Sequence, residues 1–203
     1  MNEVEKFWND AHLIDSLGSL SGCTYDETVN FLQIRDYVKS GIKILEVGCG
    51  LGYVTEEFSK LGDVSVLDIS VAALNRVRPF CESTYLASDS NQLPSNYFDL
   101  IICANVVQHV PTDELKRELV DIINSLKEDG VFAIQFVSID NVSDMQSPSV
   151  EDSTAGGLGR SPEFMHQIIN DAGGTGKEIY SGRVKHRIIN QNNVFHISKR
   201  LKK

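Results

Sequence analysis

The sequence is poor in cysteine, in long apolar runs and in positive charge. Its four cysteines, at 23, 49, 81 and 103, are far apart and form neither a Cys-x-x-Cys pair nor a Cys/His cluster with zinc spacing. This predicts reduced thiols and no metal site. No apolar run approaches the roughly 20 residues of a membrane span, and the acidic segment 1–6 does not resemble a signal peptide. We therefore expect a cytoplasmic protein without a membrane contact.

Acidic residues outnumber basic ones, and the net charge is −9. This charge argues against a general nucleic-acid-binding protein, because such proteins neutralise phosphates with basic residues. The charge is uneven, since eight basic residues and one acid stand from Lys177 onward. They indicate either a solvated strand pair with a basic tail, or an anionic substrate that is met by Arg183, Lys185 or Arg187.

At 203 residues, the chain suits one domain with a sizeable core. Strand and helix patterns alternate after two starting helices, which predicts a mostly parallel, doubly wound α/β sheet. We predict helices over 4–14, 25–39 and 53–60, one capped by Thr112 and one starting at Ser161-Pro162 and ending before Gly173. We predict strands at 42–47, 64–68, 84–87, 98–103, 131–137, 177–188 and 194–200, with a polar turn at 190–193 before the last.

The segment 44–52 is the most informative part of the chain. An apolar run ends around the acidic Glu46, and three glycines follow at alternate positions, Gly48, Gly50 and Gly52. Glycine permits positive φ and a close approach of a ligand to the backbone. The helix that follows presents free N–H groups and a partial positive charge, which suit a carboxylate or phosphate. The segment therefore predicts a site for a nucleoside-containing cofactor.

Two kinds of glycine loop compete for this segment. The dinucleotide fingerprint needs a third glycine at position 53, where this chain has Tyr53. A second apolar run ends at Asp68, 20 positions after Gly48, where a carboxylate can accept hydrogen bonds from ribose hydroxyls. A nicotinamide and a sulfonium cofactor would both use that acid, so Asp68 does not choose between them. The alternative interpretation of Asp68 is a solvated turn residue.

Four further segments occur in the order and at the intervals typical of one enzyme family. With the loop at 44–52, they resemble the class I S-adenosylmethionine-dependent methyltransferases. The segments are Tyr85–Ser90 with Leu93-Pro94, Phe98–Cys103, Asn105–Val110 and Lys127–Ile134. The resemblance covers about residues 40 to 137 in motif detail. Asp129 departs from the family, which commonly has proline or another turn residue there.

The resemblance implies S-adenosyl-L-methionine as cofactor and a seven-stranded sheet of order 3-2-1-4-5-7-6, in which strand 7 is antiparallel. It implies cap helices in 1–40, a cofactor-binding core in 41–137, a substrate lid in 138–160 and a helix with a strand pair in 161–203. Asp89 would read the adenine amino group, and Glu46 would fix the loop and the amino end of the cofactor. The implied cofactor-binding residues are Glu46, Gly48, Cys49, Gly50, Gly52, Asp68, Ile69, Asp89, Ser90 and Asn105.

Three residues are candidates for the acceptor side of the site. His109 follows the fourth strand and is either a general base or a histidine with a structural hydrogen bond. Arg160 precedes the helix at 161 and would hold an acceptor carboxylate or phosphate, or anchor the lid through a salt bridge. Tyr53 would cover the cofactor or belong to the core.

The predicted function is methyl transfer to an oxygen or nitrogen of a small, possibly anionic, metabolite by a monomer or homodimer. The alternatives are N-terminal methylation of a protein or peptide, an NAD-dependent reductase and a non-catalytic cofactor-binding protein. A Tyr-x-x-x-Lys pair is missing, which disfavours the reductase. RNA methylation is also disfavoured, because segment 105–108 lacks the aromatic residue that stacks on a target base.

Overall fold

The structure, a computed structural model, describes residues 3–13, 24–138, 159–183 and 191–200. The described strands form one seven-stranded sheet in the order β3-β2-β1-β4-β5-β7-β6. Strands β1 to β5 pair in parallel, and β7 is antiparallel to both β5 and β6. This confirms the predicted doubly wound sheet. The strands are β1 (Lys43–Val47), β2 (Asp63–Asp68), β3 (Ser83–Leu86), β4 (Phe98–Cys103), β5 (Leu126–Ser138), β6 (Gly174–Arg183) and β7 (Gln191–Lys199).

Helices cover both faces of the sheet, and each face has its own apolar core. Strand β4 shows the division, because Ile101 and Cys103 belong to the core with α5 and α6, whereas Leu100 and Ile102 belong to the core with α2, α3 and α4. The described helices are α1 (Glu3–Leu13), α2 (Tyr25–Phe31), α3 (Tyr53–Ser59), α4 (Val71–Val77), α5 (Thr112–Ser125) and α6 (Pro162–Asp171), with 3₁₀ turns at Arg78–Phe80, Ala87–Gln92 and Val107–His109. No helix in the described part of the chain is long and apolar enough to cross a membrane.

The second helix is much shorter than predicted. The sequence predicted a helix to residue 39, but α2 ends at Phe31 and Gln33 takes a left-handed φ of 52°. Leu32 and Ile34 are nevertheless fully buried. The apolar spacing therefore predicted the core positions correctly, but the prediction of a helix to residue 39 was wrong. Turns after residue 31 bury the same side chains.

The polar turn predicted at 190–193 is wrong for the part that is described. Asn192 and Asn193 lie within β7, opposite Val137 and Phe136 of β5. Their amides are accommodated in the sheet by hydrogen bonds to side chains on neighbouring strands, such as Asn193 Nδ2 to Glu178 Oε2 at 2.7 Å. Residues 184–190, which include two of the predicted anion-binding residues, lie outside the described residues.

Two other boundaries differ from the predictions. Pro111 caps α5 and Thr112 is its first, buried residue, without a side-chain cap hydrogen bond. Strand β5 begins at Leu126, five residues before the predicted start. The segment predicted as a lid lies outside the described residues except at its ends, where Ser138 and Arg160 form an isolated bridge.

Candidate active site

A cavity of about 380 Å³ opens at the carboxyl ends of β1, β2 and β4. Ligands of open α/β sheets bind at this edge, where the strand order reverses. The lining comes from five parts of the chain: α1, the loop after β1, the tip of β2, the segment after β4, and α5. They contribute Val4, Trp8 and His12; residues 46–54; Leu67, Asp68 and Ile69; residues 104–106 and 108–111; and Glu114 and Glu118, besides Thr28, Ala87 and Ile102.

The glycine loop has the conformation that the sequence predicted. The φ values are positive at all three glycines: 77° at Gly48, 50° at Gly50 and 82° at Gly52. A residue with a side chain would have a strained backbone in this left-handed region. A Cβ at Gly48 would come within 2.1 Å of the side chain of Val106, and one at Gly52 within 2.4 Å of Val77. Glycine at these two positions thus lets the loop after β1 pack directly against the segment after β4 and against α4.

Glu46 is a buried carboxyl group at the floor of the cavity. Thr55 Oγ1 donates a hydrogen bond of 2.6 Å to Glu46 Oε2. Burial raises the pKa of Glu46 from 4.5 to about 8; the hydrogen bond from Thr55 acts in the opposite direction, and the nearby Asp68 adds to the rise. Glu46 is therefore mostly protonated at pH 7 until a positive group binds beside it.

This raised pKa predicts that cofactor binding releases a proton. A cofactor ammonium group beside Glu46 would favour the ionised carboxylate, lower its pKa below 7 and release up to about one proton at pH 7. Calorimetric titrations with S-adenosylhomocysteine in phosphate and in Tris would measure the release, because the two buffers differ in ionisation enthalpy. We expect Glu46→Gln to abolish the difference and Glu56→Gln, at an exposed position of the neighbouring helix, to retain it. Equal apparent enthalpies in the two buffers for the unmodified protein would contradict the prediction.

Asp68 connects the tip of β2 to the glycine loop. Its Oδ2 accepts a hydrogen bond of 3.1 Å from the backbone N–H of Gly50 and one of 3.5 Å from Cys49 Sγ, and its Oδ1 accepts one of 2.8 Å from Ser70 N–H. Burial, with Asp68 and Glu46 nearby, raises the pKa of Cys49 well above its usual value, so the thiol stays protonated. Ile69, the next residue, also lines the cavity. The predicted ribose-binding acid, Asp68, is thus already held in place without a ligand.

Two residues that were predicted to bind the cofactor, Asp89 at its adenine and Ser90, do not line the cavity. Asp89 and Ser90 lie in the 3₁₀ segment Ala87–Gln92, of which only Ala87 lines the cavity. The hydroxyl group of Ser90 donates a hydrogen bond of 2.7 Å to Asp121 of α5. Their contact with the cofactor stays a prediction.

Asn105 is held by a chain of amides that the sequence analysis missed. It has a φ of 61°, and its backbone N–H donates a hydrogen bond of 2.6 Å to Gln135 Oε1 on β5. Gln135 Nε2 in turn donates to Asn192 Oδ1 on β7, at 2.8 Å. The available signal was the single polar residue within the apolar run 131–137. The three strands therefore fix the conformation of the segment that follows β4.

Helix α1 forms one wall of the cavity, and the sequence analysis did not assign its residues. Val4, Trp8 and His12 repeat every four residues and therefore share one face. Asn9 fastens the helix, because its Oδ1 accepts a hydrogen bond of 3.0 Å from Ala72 N–H at the start of α4. Burial lowers the pKa of His12 more strongly than Asp68 raises it. His12 is therefore mainly neutral at pH 7.

His109 faces this wall from the segment after β4. Its ring meets that of Trp8 at a centroid distance of 4.9 Å and an angle of 64°. Both side chains line the cavity, and Tyr53, which is 48% exposed, lies at its border. This position is compatible with a base close to an acceptor.

Arg160 is placed behind the cavity rather than in it. It is fully buried and does not line the cavity. Its Nη2 donates a hydrogen bond of 2.5 Å to the carbonyl oxygen of Val110, one residue after His109, and burial lowers its pKa to about 10. Within the described residues, no carboxylate forms an ion pair with it. In this position Arg160 supports the segment that carries His109.

The charged residues that line the cavity are acids. Glu46, Asp68, Glu114 and Glu118 belong to the lining, and no lysine or arginine among the described residues does. The two glutamates of α5 were missed by the sequence analysis. The signal for them was their spacing of four residues, which puts both on one helix face.

Most of the known proteins that this chain resembles are methyltransferases. A family model described as "Methyltransferase domain" matches residues 44–130. A ubiquinone biosynthesis O-methyltransferase from Glaesserella parasuis is 31% identical over 111 residues, which are 48% of this chain and 46% of that protein. The chain spans about a third to a half of the length of the curated relatives that it matches.

Solved structures with the same fold match almost the whole chain. A TehB-like S-adenosylmethionine-dependent methyltransferase from Corynebacterium glutamicum has a TM-score of 0.65 and 22% identity, and the match covers 96% of this chain and 98% of that one. The N-methyltransferase NodS from Bradyrhizobium japonicum, solved with S-adenosylhomocysteine, has a TM-score of 0.70 and 14% identity, with coverage of 98% and 99%. At these identities the structures show a common fold.

Proposed function

We propose that this chain is a class I S-adenosylmethionine-dependent methyltransferase that transfers a methyl group to an oxygen or nitrogen of a small molecule. The observation that carries the proposal is the cavity of about 380 Å³ at the carboxyl ends of β1, β2 and β4. It joins the glycine loop and Asp68, on the cofactor side, to His109 and Trp8, on the acceptor side. Both reactants can therefore meet in one cavity.

The residues of the cavity fit a cofactor with two positive groups and a ribose. Glu46 and Asp68 are buried carboxyl groups that line the cavity. S-adenosylmethionine, when bound, supplies a methyl group on a positively charged sulfur, which an acceptor attacks in line. The carboxylates would hold the ammonium group and the ribose. The wall formed by α1 would exclude water and orient the acceptor, and such positioning lowers barriers by about 7–11 kcal/mol.

The charge of the cavity favours a neutral or cationic acceptor. The sequence suggested an anionic metabolite, held by Arg160 or by the basic residues near the carboxyl end. The acidic lining and the position of Arg160 behind the cavity do not support an anion. The predicted cytoplasmic location, and assembly as a monomer or homodimer, stay predictions.

The proposed function is tested by transfer of a tritiated methyl group. The purified protein would be incubated with labelled S-adenosylmethionine and a panel of phenols, catechols and amines, and the label would be followed into the products. We expect transfer to at least one acceptor. Binding of S-adenosylhomocysteine without transfer to any member of a broad panel would contradict the proposal and favour a non-catalytic cofactor-binding protein.

His109 gives a prediction about proton transfer. If it is a general base for an acceptor hydroxyl group, His109→Gln lowers kcat on the order of 100-fold at neutral pH, because the acceptor keeps its proton. The matched control is His166→Gln. His166 lies on α6, packs against Phe195 of β7 and does not line the cavity. The kcat would be measured between pH 6 and 9. Unchanged turnover at pH 7 would remove the base and leave His109 a packing partner of Trp8.

A further inference from the structure

Two glutamates of α5 lie in the wall of the cavity without an assigned role. Glu114 and Glu118 are one helical turn apart, so they lie on the same face of the helix. Glu118 is 8% exposed, and Glu114 is half-buried. Most of the Glu118 side chain is thus enclosed, and what remains accessible borders the cavity.

The Glu118 carboxyl group has no protein partner that explains its burial. Within the described residues, no side chain or backbone group forms a hydrogen bond or an ion pair with it. Burial and the nearby acids Glu114 and Asp121 raise its pKa to about 7, against the weaker opposite effect of Arg117. A mostly buried carboxyl group that borders a cavity and has no protein partner favours a ligand as its partner.

The surroundings favour a positively charged nitrogen as that partner. A second carboxylate lies one turn away, and no lysine or arginine among the described residues lines the cavity. The rings of Trp8 and His109 belong to the same cavity and meet at 4.9 Å. Carboxylates combined with the face of a tryptophan are a usual arrangement for binding an ammonium group.

We propose that Glu118, together with Glu114, binds a positively charged amino group of the methyl acceptor. The inference rests on the proposed function and narrows its substrate class to amines with a small, partly apolar body. The amino group is the recognised group, whether or not it also accepts the methyl group.

The cofactor is the competing source of a hydrogen-bond donor at this place. Its ammonium group and ribose have buried carboxyl groups of their own, Glu46 on β1 and Asp68 on β2, whereas α5 leads from β4 to β5. The adenine amino group is the remaining candidate, because Asp121, on the next turn of α5, accepts a hydrogen bond from Ser90. The adenine group is neutral, however, and does not require two carboxylates. Binding of amines and of S-adenosylhomocysteine to Glu118→Gln distinguishes an acceptor amino group from the adenine amino group.

The test compares amines with carboxylates of nearly the same shape. The pairs are tyramine and 4-hydroxyphenylacetate, dopamine and 3,4-dihydroxyphenylacetate, and tryptamine and indole-3-acetate. Each is titrated calorimetrically into protein saturated with S-adenosylhomocysteine. We expect at least one amine to bind at least 10-fold more tightly than its carboxylate partner. This comparison needs no variant, so it stays decisive whatever a substitution does to folding.

Three variants then assign the effect to the residues. Glu118→Gln keeps the size of the side chain and removes the charge, and we expect it to weaken amine binding at least 10-fold. Glu114→Gln should weaken it less. Asp113→Asn removes one negative charge from an exposed position of the same helix and should leave amine binding unchanged. The affinity of Glu118→Gln for S-adenosylhomocysteine should stay within twofold of the unmodified protein, and thermal unfolding would report that it is folded.

Several results would overturn the inference. It fails if no probe binds, if the carboxylates bind as tightly as the amines, or if Glu118→Gln leaves amine binding unchanged. It also fails if Glu118→Gln weakens S-adenosylhomocysteine binding, since Glu118 would then belong to the adenine site. In all these cases the unmodified protein still binds S-adenosylhomocysteine and transfers methyl groups. Loss of those two properties would instead contradict the proposed function.

Discussion

Replacing Asp68 by asparagine is expected to weaken binding of S-adenosylmethionine and S-adenosylhomocysteine on the order of 100-fold. Asp68 lies in the cavity and receives Gly50 N–H at 3.1 Å and Ser70 N–H at 2.8 Å. Hydrogen bonds from ribose hydroxyls to a carboxylate are worth about 1.5–3 kcal/mol, and 1.4 kcal/mol is a factor of ten in affinity. The asparagine NH₂ group would also place a hydrogen-bond donor against the N–H donor of Gly50 or of Ser70, so one of these hydrogen bonds would be lost. The dissociation constants would be measured by calorimetry.

The control for this variant is Asp63→Asn, at the other end of β2. Asp63 is exposed, and its only described ion pair is a long one of 3.9 Å with Lys43. We expect Asp63→Asn to bind the cofactor as the unmodified protein does. If Asp68→Asn also binds normally, Asp68 is a structural connector between β2 and the glycine loop and not a ribose ligand.

Gly48→Ala should lower both stability and cofactor affinity. Its φ of 77° is strained for alanine, which costs about 1–2 kcal/mol. The added Cβ would lie 2.1 Å from Val106 Cγ2, and forced overpacking costs about 1–3 kcal/mol more. Relief of this collision would push the loop after β1 away from the segment after β4. At about 2–4 °C per kcal/mol, we expect the unfolding temperature to fall by at least roughly 4 °C, and cofactor binding to become undetectable.

Gly41→Ala separates the two causes. Gly41 has a φ of 80°, and a Cβ there would meet nothing within 4 Å. The substitution Gly41→Ala therefore strains the backbone without causing a collision. We expect a smaller fall in unfolding temperature than for Gly48→Ala, and an unchanged cofactor affinity. Equal effects of the two substitutions would mean that the close approach of Gly48 to Val106 is unimportant.

The sequence predicted the sheet and the conformation of the glycine loop well, because their signals are local. A strand with an acid near its end, followed by three alternate glycines, is typical of a tight loop that binds a nucleoside cofactor. The positive φ values observed at Gly48, Gly50 and Gly52 agree with the predicted loop conformation. The strand order followed from the resemblance and is confirmed.

The acceptor half could not be predicted, because its residues meet only through the fold. Trp8 reaches His109 across about 100 residues of sequence, and nothing local to Trp8 indicates this contact. Glu114 and Glu118 look like the solvated side of an amphipathic helix until the structure buries Glu118. Arg160 was predicted to contact the acceptor or to anchor the lid, because it stands beside the predicted lid. In the structure it is buried outside the cavity and donates a hydrogen bond to the carbonyl oxygen of Val110.

The errors of boundary have a similar origin. Leu32 and Ile34 continue the apolar spacing of α2 past its end, because a turn buries them as well as a helix would. Asn192 and Asn193 have the composition of a turn, yet they lie in β7, where Gln135 donates a hydrogen bond to Asn192 and Asn193 donates one to Glu178. Composition reports polarity, and the fold decides whether a polar group is satisfied by water or by a neighbouring strand.

The most direct test of the central claim is calorimetry of the purified protein with S-adenosylmethionine, S-adenosylhomocysteine and NADH in parallel. We predict that the two sulfur nucleosides bind with micromolar affinity and that NADH does not bind. Binding of NADH alone would contradict the account, and the residues from Glu46 to Asp89 would then form a dinucleotide site.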